Sequence, residues 1–235
     1  MAGRTVSTGE APVPLRTAFH EELDQLRLQV ELMGVRVDQN LERARQILDH
    51  GDPTGDVVAA ALTADDEIDA MHVSLVERCY SLLAREAPMA SDLRFVVSVV
   101  RVLSELERVG DLGLRVIKLA PQVGELSATG AAWDIVRTLA DVAVDQYRTA
   151  LRAWSTQDLA LATQLVESRP RLDAFHSRLV AELRRLEGAD GVATLMALFV
   201  AAQAADRIAD HAAVMGARLR YLITGEAAHL AAEVR

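Results

Sequence analysis

The stretch FVVSVVRVLSELERVGDLGL, residues 95–114, sets the terms on which the rest of the chain is read. An apolar run is followed by leucines and valines that share their turns with acids. Helical steps of four and three back from Glu107 reach Leu103, Val100 and Val96; forward, they reach Asp111 and Leu114. Two carboxylates therefore stand on the stripe that the apolar residues mark as core-facing. A helix that aims acid at its own seam needs something there to neutralise it.

The same arrangement recurs upstream. Asp65 and Asp69 lie in register with Val58, Leu62, Val73, Val76 and Tyr80. It recurs again in the second half of the chain. LERVGD (106–111) returns as ADRIAD (205–210), and IDAMHVSLV (68–76) returns as LDAFHSRLV (172–180), at offsets of 99 and 104 residues. Matching motifs in matching order imply an internal duplication. In the second copy Asp206 and Asp210 align with Leu195, Phe199, Ala202, Ala213 and Ala217, and Asp173 aligns with Val166, His176 and Val180.

Punctuation supplies the architecture. Gly51-Asp52-Pro53, Pro88, Pro121 and Gly225 bound helical stretches near 15–50, 54–86, 91–120, 131–155, 157–186 and 191–224. Ser91 or Asp92 is the expected N-cap of the third, and Pro170 should kink the fifth about one turn before it. The expected fold is all-α: a lead over 1–14, a three-helix bundle over 15–120, a linker over 121–130, a second bundle over 131–225 and a tail over 226–235. Low aromatic content (4%) and the absence of alternating β-branched runs agree with an all-helical chain of 235 residues.

Composition narrows the function. A net charge of −9 with acids and bases interspersed, and no basic stripe, argues against nucleic acid as a partner. The lone Cys79 excludes an internal disulfide and reads as a packed side chain. The longest uncharged stretch, 191–205, is shorter than the roughly 20 residues of a bilayer span. With no apolar leader at the N-terminus, a cytoplasmic protein is expected. No nucleophile–base pair, phosphate loop or dinucleotide fingerprint marks an enzyme.

Adjacent helices joined by short turns run antiparallel. Asp65 and Asp69 should therefore meet Glu107 and Asp111, with Asp173, Asp206 and Asp210 forming a lesser counterpart in which Arg169 replaces the acid at 65. Gathered carboxylates need an opposite charge nearby. A metal ion can supply it, and hard oxygen donors with an imidazole suit magnesium, manganese, calcium or iron. His72 and His176, each three residues after an acid, would orient ligands or join them, and Arg108 and Arg207 would offset charge. Gly110, Gly113 and Ala209 leave room for close helix approach or for an ion. Two other readings use the same residues: a carboxylate-bridged di-metal oxidase, and a metal-free dimerisation scaffold in which arginines pair with the acids.

The segments Pro88-Met89-Ala90-Ser91-Asp92-Leu93-Arg94 and Glu107-Arg108-Val109-Gly110-Asp111 resemble the PhoU family of phosphate-transport accessory proteins. So do Asp206-Arg207-Ile208-Ala209-Asp210-His211-Ala212 and Tyr221-Leu222-Ile223-Thr224-Gly225-Glu226. The resemblance covers about residues 16–226. It implies two similar three-helix bundles, each with a metal site on its acidic motif, iron and zinc being associated with some members. It also implies a negative regulator of phosphate-starvation signalling that links a transporter ATPase subunit to a sensor histidine kinase. Such a protein meets the membrane only through its partners. Asp92 and Arg94 are the motif residues expected to serve interaction, and a homodimer is the expected assembly.

Overall fold

The computed structural model describes residues 15–167, 170–185 and 191–234. The lead over 1–14 and the side chain of Asp173 lie outside the described residues, as does Arg169. Eight α-helices follow in order: α1 Leu15–His50, α2 Asp56–Glu86, α3 Ser91–Ile117, α4 Val123–Ser127, α5 Ala131–Thr156, α6 Leu159–Glu167, α7 Pro170–Leu183 and α8 Gly191–Thr224. Short 3-10 turns cover Ala120–Gln122 and Ala227–Val234. Among the described residues there is no strand.

Local chemistry fixes the helix ends. Gly51 takes φ +67° and its N–H donates to Ile47 O at 2.8 Å, which closes α1 with a left-handed residue that glycine adopts at no steric cost. The Asp52 carboxylate then accepts from the N–H groups of Gly55 (3.1 Å) and Val58 (2.9 Å), covering donors that the first turn of α2 leaves free. Asp158 does the same for α6, accepting from Ala160 and Leu161 at 2.8 and 3.0 Å.

Three sequence expectations are revised. The N-cap of α3 is Ala90, with no side-chain cap, rather than Ser91 or Asp92; the Pro88–Ala90 turn sets the entry instead, with Asp92 N–H donating to Met89 O at 3.2 Å. The expected helix 157–186 is two helices, because Pro170 begins α7 at a first-turn position where its missing N–H costs nothing. Segment 121–130 carries α4, whose Val123 and Leu126 are buried.

Neighbouring helices run antiparallel, as their ion pairs show. Along α1 and α2, Glu22 meets Arg85 at 2.9 Å and Arg36 meets Glu67 at 3.5 Å. Along α1 and α5, Asp38 meets Arg148 at 2.7 Å, Arg45 meets Asp141 at 2.7 Å, and Asp49 meets Arg137. The α1–α5 pairs join the two repeats. A single apolar core runs through both, from Leu26 and Val37 on α1 to Trp154 on α5 and Met215 on α8.

Helix α8 packs on α3, α5 and α6. Gly216 lets it approach α6 closely, since an added Cβ would stand 2.9 Å from Ala162 O. By length and composition α8 could cross a membrane, but 44% of its most apolar segment is buried within the protein. It buries Leu198, Ala202, Ala205 and Ala209 against its neighbours.

Candidate functional site

Burial on α2 falls on Ala61, Ala64, Ile68, Leu75, Cys79 and Leu82. Leu62, Val73 and Tyr80, which share the stripe of Asp65 and Asp69, are exposed. The acid pair therefore stands beside the core face, not on it. On α3, Val96, Leu103 and Leu114 are buried as expected, whereas Glu107 is half-buried and Asp111 exposed. The acids stand along the α2–α3 seam, Asp65 and Glu107 half-buried and Asp69 and Asp111 exposed to water.

The first-repeat acids do lie close enough to feel one another's charge. Burial first, then the negative charges of Asp69 and Asp111, pushes the Asp65 carboxyl above the usual carboxylate range. Burial and Asp111 do the same to Glu107, with His72 opposing. An ideal Cβ on Gly110 would lie 3.8 Å from Asp65 Oδ1, an ordinary contact, which places this turn of α3 against α2 at the acids. Gly113 serves α1 instead, its added Cβ meeting Leu41 Cδ2 at 3.0 Å. His72 Nε2 is buried with no hydrogen-bond partner among the described residues.

Such a donor set fits a hard cation in kind: carboxylates that repel one another, one unpartnered imidazole nitrogen and no thiolate. It is not drawn together. Among the described residues, no group of three or more His, Cys, Asp or Glu side chains converges closely enough to hold an ion. Asp69 and Asp111, both exposed, would have to swing inward. In the second repeat His176 Nε2 stands 3.6 Å from Asp206 Oδ1, and both are partly buried.

Arg108 pairs with Glu105, at 3.6 Å, and not with Asp111. Glu105 is the residue that sequence reasoning missed. It is 1% exposed, takes Arg101 at 3.1 Å, and accepts a 2.5 Å hydrogen bond from His211 Nδ1 on α8. No local spacing announces this pair, because its members are 106 residues apart. Arg94 also reaches α8, with its guanidinium carbon 3.7 Å from an ideal Cβ on Gly225. The two signature segments thus meet: the first turn of α3 packs on Gly225, the residue that follows α8. Cys79 is buried, and burial pushes its thiol up to about 11, in keeping with a packed, unreactive side chain.

Comparison with known proteins places these features. The PhoU domain family matches residues 30–120 and again 136–219, so the match itself is double. A Pseudomonas putida protein named phosphate-specific transport system accessory protein PhoU homolog is 27% identical over 88% of this chain and 81% of its own length. A Mycobacterium tuberculosis protein named PhoU homolog 2 is 30% identical over 90% of this chain and 99% of its own length. The crystal structure of PhoU from Pseudomonas aeruginosa superimposes with a TM-score of 0.81 at 26% identity, covering 88% of this chain and all of that one. Two matched domains, a shared fold and similarity along nearly the whole chain make this protein a member of the PhoU family.

Proposed function

We propose that this protein regulates phosphate uptake, acting in the cytoplasm as an adaptor between the ATPase subunit of a phosphate ABC transporter and a sensor histidine kinase. In that position it damps phosphate-starvation signalling. The observation that carries the reading is coverage: relatives named as phosphate-specific transport system accessory proteins align with 88–90% of the chain, through both repeats.

Two structural features support an adaptor. Leu28, Leu32 and Val35 form an exposed apolar stripe at helical spacing on α1, and Val192, Met196 and Val200 form another on α8. Either offers a partner a helical face to cover. The acid cluster on the α2–α3 seam adds a site for a metal ion such as iron, zinc, manganese or magnesium, held by Asp65, Asp69, Glu107 and Asp111, with Asp206 and Asp210 forming a lesser site beside His176. Bound there, a cation would tie α2 to α3 and stiffen the face between them.

The test is affinity capture of the tagged full chain from cells grown in high and in low phosphate, alongside phosphate-uptake rates with and without the chain. Recovery of a transporter ATPase or a histidine kinase, with faster uptake in its absence, is the expected result. Unchanged uptake and no such protein in either eluate would remove the proposal.

A further inference from the structure

The antiparallel packing of α3 on α8 has an electrostatic consequence. Glu105 lies against His211, and Arg94 against Gly225, so residue numbers rise along one helix as they fall along the other. Position 108 is thereby brought level with 207. These are also equivalent positions of the duplicated motif, LERVGD and ADRIAD, and both are arginine. The approximate symmetry of the duplication sets two like charges face to face.

They line one cleft of about 320 Å³ together with Asp111, Leu112, Arg115 and His211. Its charged groups are three guanidinium ions and one carboxylate, in a chain whose net charge is −9. Of the arginines, only Arg108 has an ion-pair partner among the described residues: Glu105, which is buried and already engaged by Arg101 and His211. Arg115 and Arg207 are exposed and have none there. Like charges in a shared concavity repel unless an anion joins them.

We infer that this inter-repeat cleft binds a tetrahedral oxyanion of the phosphate class. A guanidinium donates through a planar fork, so one arginine can engage both oxygens of a planar carboxylate from one direction. Three forks set on two facing helices suit an anion whose oxygens point in several directions and which carries more than one charge. The cleft adjoins the acid seam and shares Asp111 with it, but its arginines call for an anion, and its occupation is a property of the isolated chain, independent of any adaptor role. An anion there would bridge α3 and α8, and so couple the two repeats to its concentration.

Isothermal titration of the full-length, chelator-treated protein with inorganic phosphate, with chloride matched for ionic strength as control, tests this directly. One saturable site per chain is expected. Arg115→Gln and Arg207→Gln should each weaken it tenfold or more, while Arg207→Lys, checked for native helicity, should retain part of the affinity. Sulfate and glycerol 3-phosphate separate a site for the free anion from one for a phosphoryl group on a larger molecule; binding of either keeps the class. Absence of saturable heat up to tens of millimolar phosphate, an equal response to chloride, binding only after metal is restored, or full binding by a folded Arg115→Gln/Arg207→Gln variant would each overturn the assignment.

Discussion

Asp65 and Glu107 are carboxyls whose surroundings favour the protonated form, through burial first and then through neighbouring acids. A carboxyl with a raised folded-state pKa binds more protons folded than unfolded across the interval between its two values. Stability contributed by these two groups is therefore lost as pH rises through that interval, and regained as pH falls back through it. In metal-free protein, Asp65→Asn and Glu107→Gln should each raise the melting temperature at pH 7 and flatten its rise toward acid; unchanged or lower melting temperatures would contradict the mutual repulsion of these acids. Glu105 is buried, accepts a hydrogen bond from His211 and forms an ion pair with Arg101, so Glu105→Ala should cost about 2 kcal/mol in urea unfolding. The partly exposed heads of Arg101 and Arg108 can rehydrate, which keeps the loss below that of a fully buried pair.

Helices were legible where glycine and proline punctuate them. The ends of α1 at His50, of α2 at Glu86 and of α8 at Thr224 all fall next to such residues. The fifth predicted helix was less legible, because a mid-pattern proline permits either a kink or a restart, and α7 restarts at Pro170. The acid stripes were read one step too far inward. A helical stripe spans a wide arc, and Asp65 and Asp69 sit at its margin, where the flanking Leu62 and Val73 prove exposed. Glu105 was illegible for another reason: its partner lies on a helix of the other repeat. Helix packing also predicts a sharp response at Gly216, whose added Cβ would meet backbone rather than a movable side chain. Gly216→Ala should destabilise by about 1–3 kcal/mol, measured by chemical denaturation. Gly113→Ala, which meets only the end of Leu41, should cost less.

The two repeats share one core, and the α1–α5 ion pairs stitch the same boundary that α3 and α8 fill with apolar side chains. Scanning calorimetry should accordingly find one transition with a ratio of calorimetric to van't Hoff enthalpy of about one. Two resolved transitions would show that the repeats melt as separate units. Arg148→Ala should shift that transition only slightly, because the partly exposed pairs of Arg148 with Asp38 and Glu42 are worth at most about 1 kcal/mol each. The central proposal is that the first-repeat acids serve to hold a cation that would fasten α2 to α3. Melting of the chelator-treated chain with and without added manganese, for the unaltered sequence and for Asp65→Asn/Glu107→Gln, tests it most directly. The account predicts a gain of about 2.7 kcal/mol for the unaltered chain at a hundred times the dissociation constant, and none for the double variant, which should start out the more stable of the two. Equal metal responses in both proteins, or no response in either, would contradict it.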